Sequence, residues 1–223
     1  ATGVPLPEGT AGRGPLVQAA FGLLMLAPHL RSRTPPTDPA QLRARVESEL
    51  ARYEDRAHAR GVDGRLVRTG HYALCALIDD LALNTPWGAH GIWKGQSLAG
   101  TLHHDVAAGE RFFDVLDQAR RTPERHRPLL ELLAACLAMG FEGRYRLAPG
   151  GSATLAGLRE DLLRQLARLA DPRAGAGARE RLLALPCGEG VFDAAERRIH
   201  GGDLVAPLDE RERDRAHRRG VDV

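Results

Sequence analysis

The sequence predicts an all-α protein, and three observations carry that prediction. Leu, Ala and Arg dominate while aromatic residues make up only 4%, a composition that favours helices and leaves little material for a sheet. Apolar residues recur at spacings of three and four through most of the chain, with no sustained strand-like alternation and no internal repeat. The breaks between these runs are of the helical kind: Asp38-Pro39, Ser97 and Thr122-Pro123 each supply a capping side chain, two of them with proline at the first helical position.

With 223 residues, 43% of them hydrophobic, the chain can build one sizeable core and is too short for two. Its net charge of +2 is the balance of 31 basic and 29 acidic residues. They are scattered along the chain, so no field is concentrated enough to hold a phosphate backbone, and nucleic acid is not expected as a partner. Cys75, Cys136 and Cys187 are odd in number and widely spaced. They suggest neither a disulfide framework nor a zinc knuckle, and so a reducing, cytoplasmic setting. The longest apolar stretch, Leu16 to Leu30, falls short of the roughly 20 residues that span a bilayer. The chain starts with Ala1 and not Met, as expected for a fragment whose membrane segment lies elsewhere.

Residues 1–14, rich in Gly and Pro, read as a flexible lead. A first helix is expected from Pro15 to about Ser32, with Pro28 kinking or ending its last turn. A second should start near Pro39, capped by Asp38, and run to about Arg60, closed by Gly61 and Gly64. Its buried stripe would be Leu42, Val46, Leu50 and Tyr53. The third covers about Leu66 to Leu83. After the break at Thr85-Pro86-Trp87-Gly88, a short helix capped by Ser97 should reach about Val106, and another should span Glu110 to Arg121. Thr122-Pro123 repeats the start signal, and Pro128 to Phe141 is apolar enough to lie inside. A glycine-bounded turn, Gly140 to Arg146, precedes a last long helix capped by Ser152. That helix carries Leu155, Leu158, Leu162, Leu166 and Leu169, and Asp171-Pro172 ends it. Residues 171–223 read as a C-terminal extension, partly helical or disordered. The total is about seven to eight helices.

The run from His71 to Trp93 holds the candidate chemistry. His71, Cys75 and Asp79 recur every four residues and share a helix face, so a metal site is one reading, with His103, His104 or Asp105 as a fourth ligand. The plainer reading makes Cys75 a small core residue and His71 a satisfied polar one. Asp79 and Asp80, adjacent on a helix, point about 100° apart and do not converge as a catalytic pair. They fit better as a cleft wall offering charged acceptors to an Arg or Lys of a partner. Gly95-Gln96-Ser97-Leu98-Ala99 resembles a nucleophile elbow, but no strand precedes it, and Ser97 reads better as a helix cap. Glycine-rich Gly175-Ala176-Gly177 lacks the Lys and the strand of a phosphate loop. Trp87 and Trp93 flank the turn as core filler, and Gly140, Gly143 and Arg144-Tyr145-Arg146 form a demanding turn or a docking rim.

In order, Tyr72-Ala73-Leu74-Cys75, Asp79-Asp80, Thr85-Pro86-Trp87-Gly88, Trp93, Ser97-Leu98, His103, Gly109-Glu110 with Phe112-Phe113, Leu130-Glu131-Leu132, Cys136-Leu137 and Gly140-Phe141-Glu142-Gly143-Arg144-Tyr145-Arg146 resemble the TssL family, also called DotU or IcmH. This family supplies an inner-membrane subunit of bacterial type VI secretion systems. The resemblance covers about residues 15–170. Asp80 stands where the family usually has Glu, Leu102 where it usually has Phe, and Ala134 where it often has Tyr. The resemblance implies two small helical bundles in a hook-like arrangement at the cytoplasmic face of the inner membrane, with a C-terminal transmembrane helix absent from this chain. It also implies homodimerisation of the full-length protein, partners TssM in the membrane and TssK in the baseplate, no cofactor and no catalytic activity. The family's acidic pair in the cleft between the bundles maps onto Asp79 and Asp80. The alternative is a metal-dependent helical enzyme using His71, Cys75 and Asp79.

Overall fold

In a computed structural model, residues 14–91 and 93–170 are described. Expectations for residues 1–13 and 171–223, including the stop at Asp171-Pro172 and the role of Cys187, lie outside them. Among the described residues every regular element is helical. There are nine α-helices: α1 (Pro15–Ala19), α2 (Phe21–Leu24), α3 (Ala27–Arg31), α4 (Pro39–Ala59), α5 (Gly64–Leu83), α6 (Leu98–His103), α7 (Ala108–Arg121), α8 (Pro123–Ala138) and α9 (Gly151–Ala170), with a 3-10 turn at Gly143–Tyr145. The all-α expectation is met. Taking α1 to α3 as one interrupted helix gives seven, within the expected number.

The centre of the fold is the pair α5 and α8. Thirteen residues of α5 are buried, and every residue of α8 from Leu129 to Leu137 is buried, the pattern of helices surrounded on all sides. Burying each large apolar side chain contributes about 1.5–3 kcal/mol, so these two elements hold much of the stability. Around them, α8 meets α1, α7 and α9, while α5 meets α3, α4, α6 and α7. The one buried acid of α8, Glu131, is matched one turn back by Arg127 at 2.9 Å.

The predicted first helix is broken into three pieces. Pro28 has no N–H for the Leu24 carbonyl, and near Ala20 and Met25 the backbone tightens to ψ of −2° and −16°. Part of the cost is met from α4, where Arg56 Nη1 donates to Ala19 O at 3.4 Å. α4 starts as expected, with Asp38 accepting from Ala40 N and Gln41 N. Gly61 follows it at φ 71°. Gly64, however, opens α5, whose cap is Asp63. α6 is capped by Ser97 but ends at His103, where His104 enters the left-handed region at φ 54°. α8 begins at Pro123 and absorbs Pro128 in its interior. In α9, Ser152 is the second helical residue and not the cap. Its turns put Leu155, Leu162 and Leu166 in the core, with Leu158 and Leu169 partly buried against it.

Candidate functional site

The last two turns of α5 position two carboxylates that do opposite things. Asp79 is 6% exposed. Its Oδ1 accepts from Leu98 N and its Oδ2 from Ala99 N, each at 2.8 Å. Those N–H groups are orphan donors at the start of α6, so Asp79 caps a neighbouring helix from 19 residues away. Ser97 completes the cap through Gly100 N. Burial pushes the Asp79 carboxyl up to about 6, even though both backbone bonds and Arg43 act the other way.

Asp80 turns to the other side. Its Oδ2 accepts from Glu142 N and from Arg146 Nη2, both at 3.0 Å, and Arg146 also reaches Glu142 Oε2 at 3.1 Å. Asn84 donates to the Asp80 backbone carbonyl and side chain. The adjacent acids thus bridge α5 to two separate elements, α6 and the 140–146 turn, as their 100° divergence allows. Asp80 is 10% exposed at its side chain, against 41% for Glu142 and 29% for Arg146.

Thr85-Pro86-Trp87-Gly88 ends α5 by a closed hydrogen-bond pattern. Thr85 Oγ1 donates to Ala82 O at 2.7 Å and accepts from Gly88 N at 3.1 Å. A Cβ on Gly88 would stand 2.0 Å from Ala82 O, so only glycine fits that approach. Trp87 Nε1 donates to Ser32 O at 2.8 Å, tying the break to the end of α3. Trp93 is fully buried, edge-on to Trp87 at 5.8 Å, with the Arg43 guanidinium 5.3 Å from its ring. Arg43 also donates to Gln96 O, holding the segment before α6.

In the second turn, Gly140 takes φ 102° and Gly143 φ 46°. Between them Phe141 is fully buried, 4.1 Å from the Phe112 ring and 5.6 Å from that of Phe113. Tyr145 packs edge-on against Phe113 at 4.7 Å, and Arg144 lies over Phe113 at 4.9 Å while pairing with Asp114 at 3.5 Å. The glycine-bounded turn is therefore a clasp on α7.

Asp79 is not a partner of His71 and Cys75. Eight residues on one helix lie about 12 Å apart along its axis, so the two ends of the proposed triad cannot share an ion. The structure brings His103 to the pair instead, with His71 Nδ1 2.8 Å from His103 Nε2 and Cys75 Sγ 3.7 Å from His71 Nδ1. Sequence reasoning missed three polar supports. Tyr72 Oη donates to Asp105 Oδ2 at 2.8 Å, Arg111 pairs with Asp105 at 3.3 Å, and Arg43 is buried on α4. Spacing within one helix could not reveal them, because Tyr72 and Asp105 are 33 residues apart, Arg43 and Gln96 are 53 apart, and Asp105 lies outside the helix that carries Arg111. The Asp105 carboxyl would be raised by burial, but Ala107 N–H, the Tyr72 hydroxyl and Arg111 outweigh it and hold it below its usual range.

The Asp79 pKa has a testable consequence. Between its ordinary value near 3.8 and about 6, the folded chain holds a proton that the unfolded chain has released. Stability contributed by Asp79 is therefore full below that window and falls as pH rises through it. In urea titrations with chelator present, the wild type should lose on the order of 1–3 kcal/mol relative to Asp79→Asn between pH 4 and pH 6.5. A difference that grows with pH would show the two backbone bonds outweighing burial.

These features define a class first: an all-α domain whose acidic pair ties α5 to α6 and to the 140–146 turn, with the fold of solved structures of a type VI secretion subunit. The cytoplasmic domain of TssL from Acinetobacter baumannii is 25% identical with TM-score 0.65, over 70% of this chain and 98% of that one. TssL from Vibrio cholerae is 29% identical with TM-score 0.63, over 70% and 97%. SciP/TssL from enteroaggregative Escherichia coli 042, at 24% identity and TM-score 0.56 over 69% and 86%, shares the fold. No curated protein matches the chain by sequence. Residues 15–186 match the family model described as type VI secretion system protein DotU, and the chain belongs to that family. It is a TssL-like subunit of the type VI secretion system, with protein partners in that system. No helix among the described residues is long and apolar enough to cross a membrane.

Proposed function

We propose that this chain is a non-enzymatic docking domain at the cytoplasmic face of the bacterial inner membrane. In this reading it joins the membrane subunit TssM to the baseplate subunit TssK, and homodimerises in the full-length protein. The docking edge is organised by Asp79 and Asp80. One observation supports it above the others: Asp80 holds the 140–146 turn so that Glu142 and Arg146 stand half-exposed beside Leu147, which is 92% exposed. An apolar side chain next to a charge pair in a fixed geometry is the composition of a recognition rim with an anchor. A basic residue of a partner can take Glu142 from Arg146, while Asp80 keeps the turn in place.

The test separates recognition from bracing. Glu142→Arg should weaken binding of purified TssK by about tenfold, with helical content and melting temperature nearly unchanged, because the side chain is largely outside the core. Asp80→Asn should lower both binding and stability. Full binding by Glu142→Arg would move the docking site off this edge.

A further inference from the structure

Outside the acidic pair, one cluster has no role in docking. His71 and Cys75 stand one turn apart on α5, and His103 closes α6 opposite them. Their three donor atoms, one nitrogen from each imidazole and the sulfur, lie within 4.8 Å of one another. We propose that His71 Nδ1, Cys75 Sγ and His103 Nε2 form a structural binding site for a zinc-type divalent metal that ties α6 to α5.

The geometry needs shifts of about an ångström, since the widest donor pair stands up to 4.8 Å apart. Tetrahedral zinc, with Zn–N of about 2.0–2.1 Å and Zn–S of about 2.3 Å, sets neighbouring nitrogen and sulfur ligands about 3.5 Å apart. The Cys75 Sγ to His71 Nδ1 distance is 3.7 Å. The two imidazole nitrogens, now 2.8 Å apart and sharing a proton, must open by about half an ångström. Two imidazoles and a thiolate select zinc over the oxygen-loving magnesium and calcium.

The surroundings fit as well. With Nδ1 on the metal, His71 turns its Nε2–H towards Glu54, whose Oε1 is 3.9 Å away, outside hydrogen-bond reach and near enough to favour that tautomer electrostatically. Tyr72 packs edge-on against His103 at 5.3 Å and fixes that ring. His103, Tyr72 and Asp105 border an open depression of about 300 Å³, which gives solvent access on the His103 side of the cluster. Binding is not redox: Cys75 releases one proton to solvent, and whichever imidazole donates in the His71–His103 hydrogen bond moves that proton to its nitrogen facing away from the ion, the other ring already carrying its proton there.

The experiment uses the full chain, stripped with EDTA and titrated with Zn²⁺ and Co²⁺. One equivalent should bind, the cobalt form should show a thiolate-to-cobalt charge-transfer band, and zinc should raise the melting temperature. The band should vanish in Cys75→Ser and survive in Cys187→Ser. If Cys75→Ser does not fold, His103→Gln, at a part-exposed site, decides: loss of the band with unchanged helical content supports the site. A wild type without the band, a band that persists in the decisive variant, or a band lost in Cys187→Ser overturns it.

Discussion

Asp79→Ala should lower stability by about 2–4 kcal/mol at pH 7. The reason is the partner and not the acid. Removing the carboxylate leaves Leu98 N–H and Ala99 N–H without acceptors in a buried setting, and each stranded group costs about 1–3 kcal/mol. α6 has only six residues, too few to persist as a helix without tertiary support. Loss of the remote cap should therefore loosen α6 selectively. Hydrogen exchange should accelerate in residues 97–104 of Asp79→Ala while α8 keeps its protection. Asp79→Asn retains one carbonyl oxygen and should cost less than half as much. Equal loss for Ala and Asn, or uniform acceleration across the domain, would sink the capping account.

Gly143→Ala should be the second severe substitution, by about 3 kcal/mol or more. At φ 46° an alanine already carries about 1–2 kcal/mol of left-handed strain. Its Cβ would also stand 2.3 Å from Gly109 O and 2.9 Å from the Phe141 ring. The first is a backbone atom at the start of α7, so relief requires moving a helix and not a side-chain tip. Gly61→Ala provides the control, because Gly61 has φ 71° with nothing near its Cβ position. It should show the strain alone, about 1–2 kcal/mol. The gap between the two in denaturant unfolding measures the collision, and a gap near zero would mean α7 yields without cost.

Much of the fold was legible because helix ends are local. Asp38-Pro39 and Ser97 announce starts through side chains that reach only two or three residues along the chain, and the structure uses both in that way. The N-terminal segment departs from a single helix at Ala20 and Met25; Pro28, which withholds an N–H from the Leu24 carbonyl, announces the second break, and no residue announces the first. Pro128 heads the apolar run, yet α8 begins at the Thr122-Pro123 signal and is buried enough to absorb the missing hydrogen bond. At the site, the importance of Asp79 and Asp80 could be seen from two charges in an apolar helix, but not their partners, which come from residues 98–99 and 142–146. The regular spacing of His71, Cys75 and Asp79 suggested one face. Position along the helix, about 12 Å over eight residues, was the quantity that separated Asp79 from the other two.

The edge-to-face indoles of Trp87 and Trp93 are the only two tryptophans in the sequence. Tryptophan fluorescence from this chain therefore comes from a single place, the segment between the end of α5 and the approach to α6. A change in tryptophan emission on adding a partner or an ion would report that segment without any label, while unfolding confined to α9 would leave the emission unchanged.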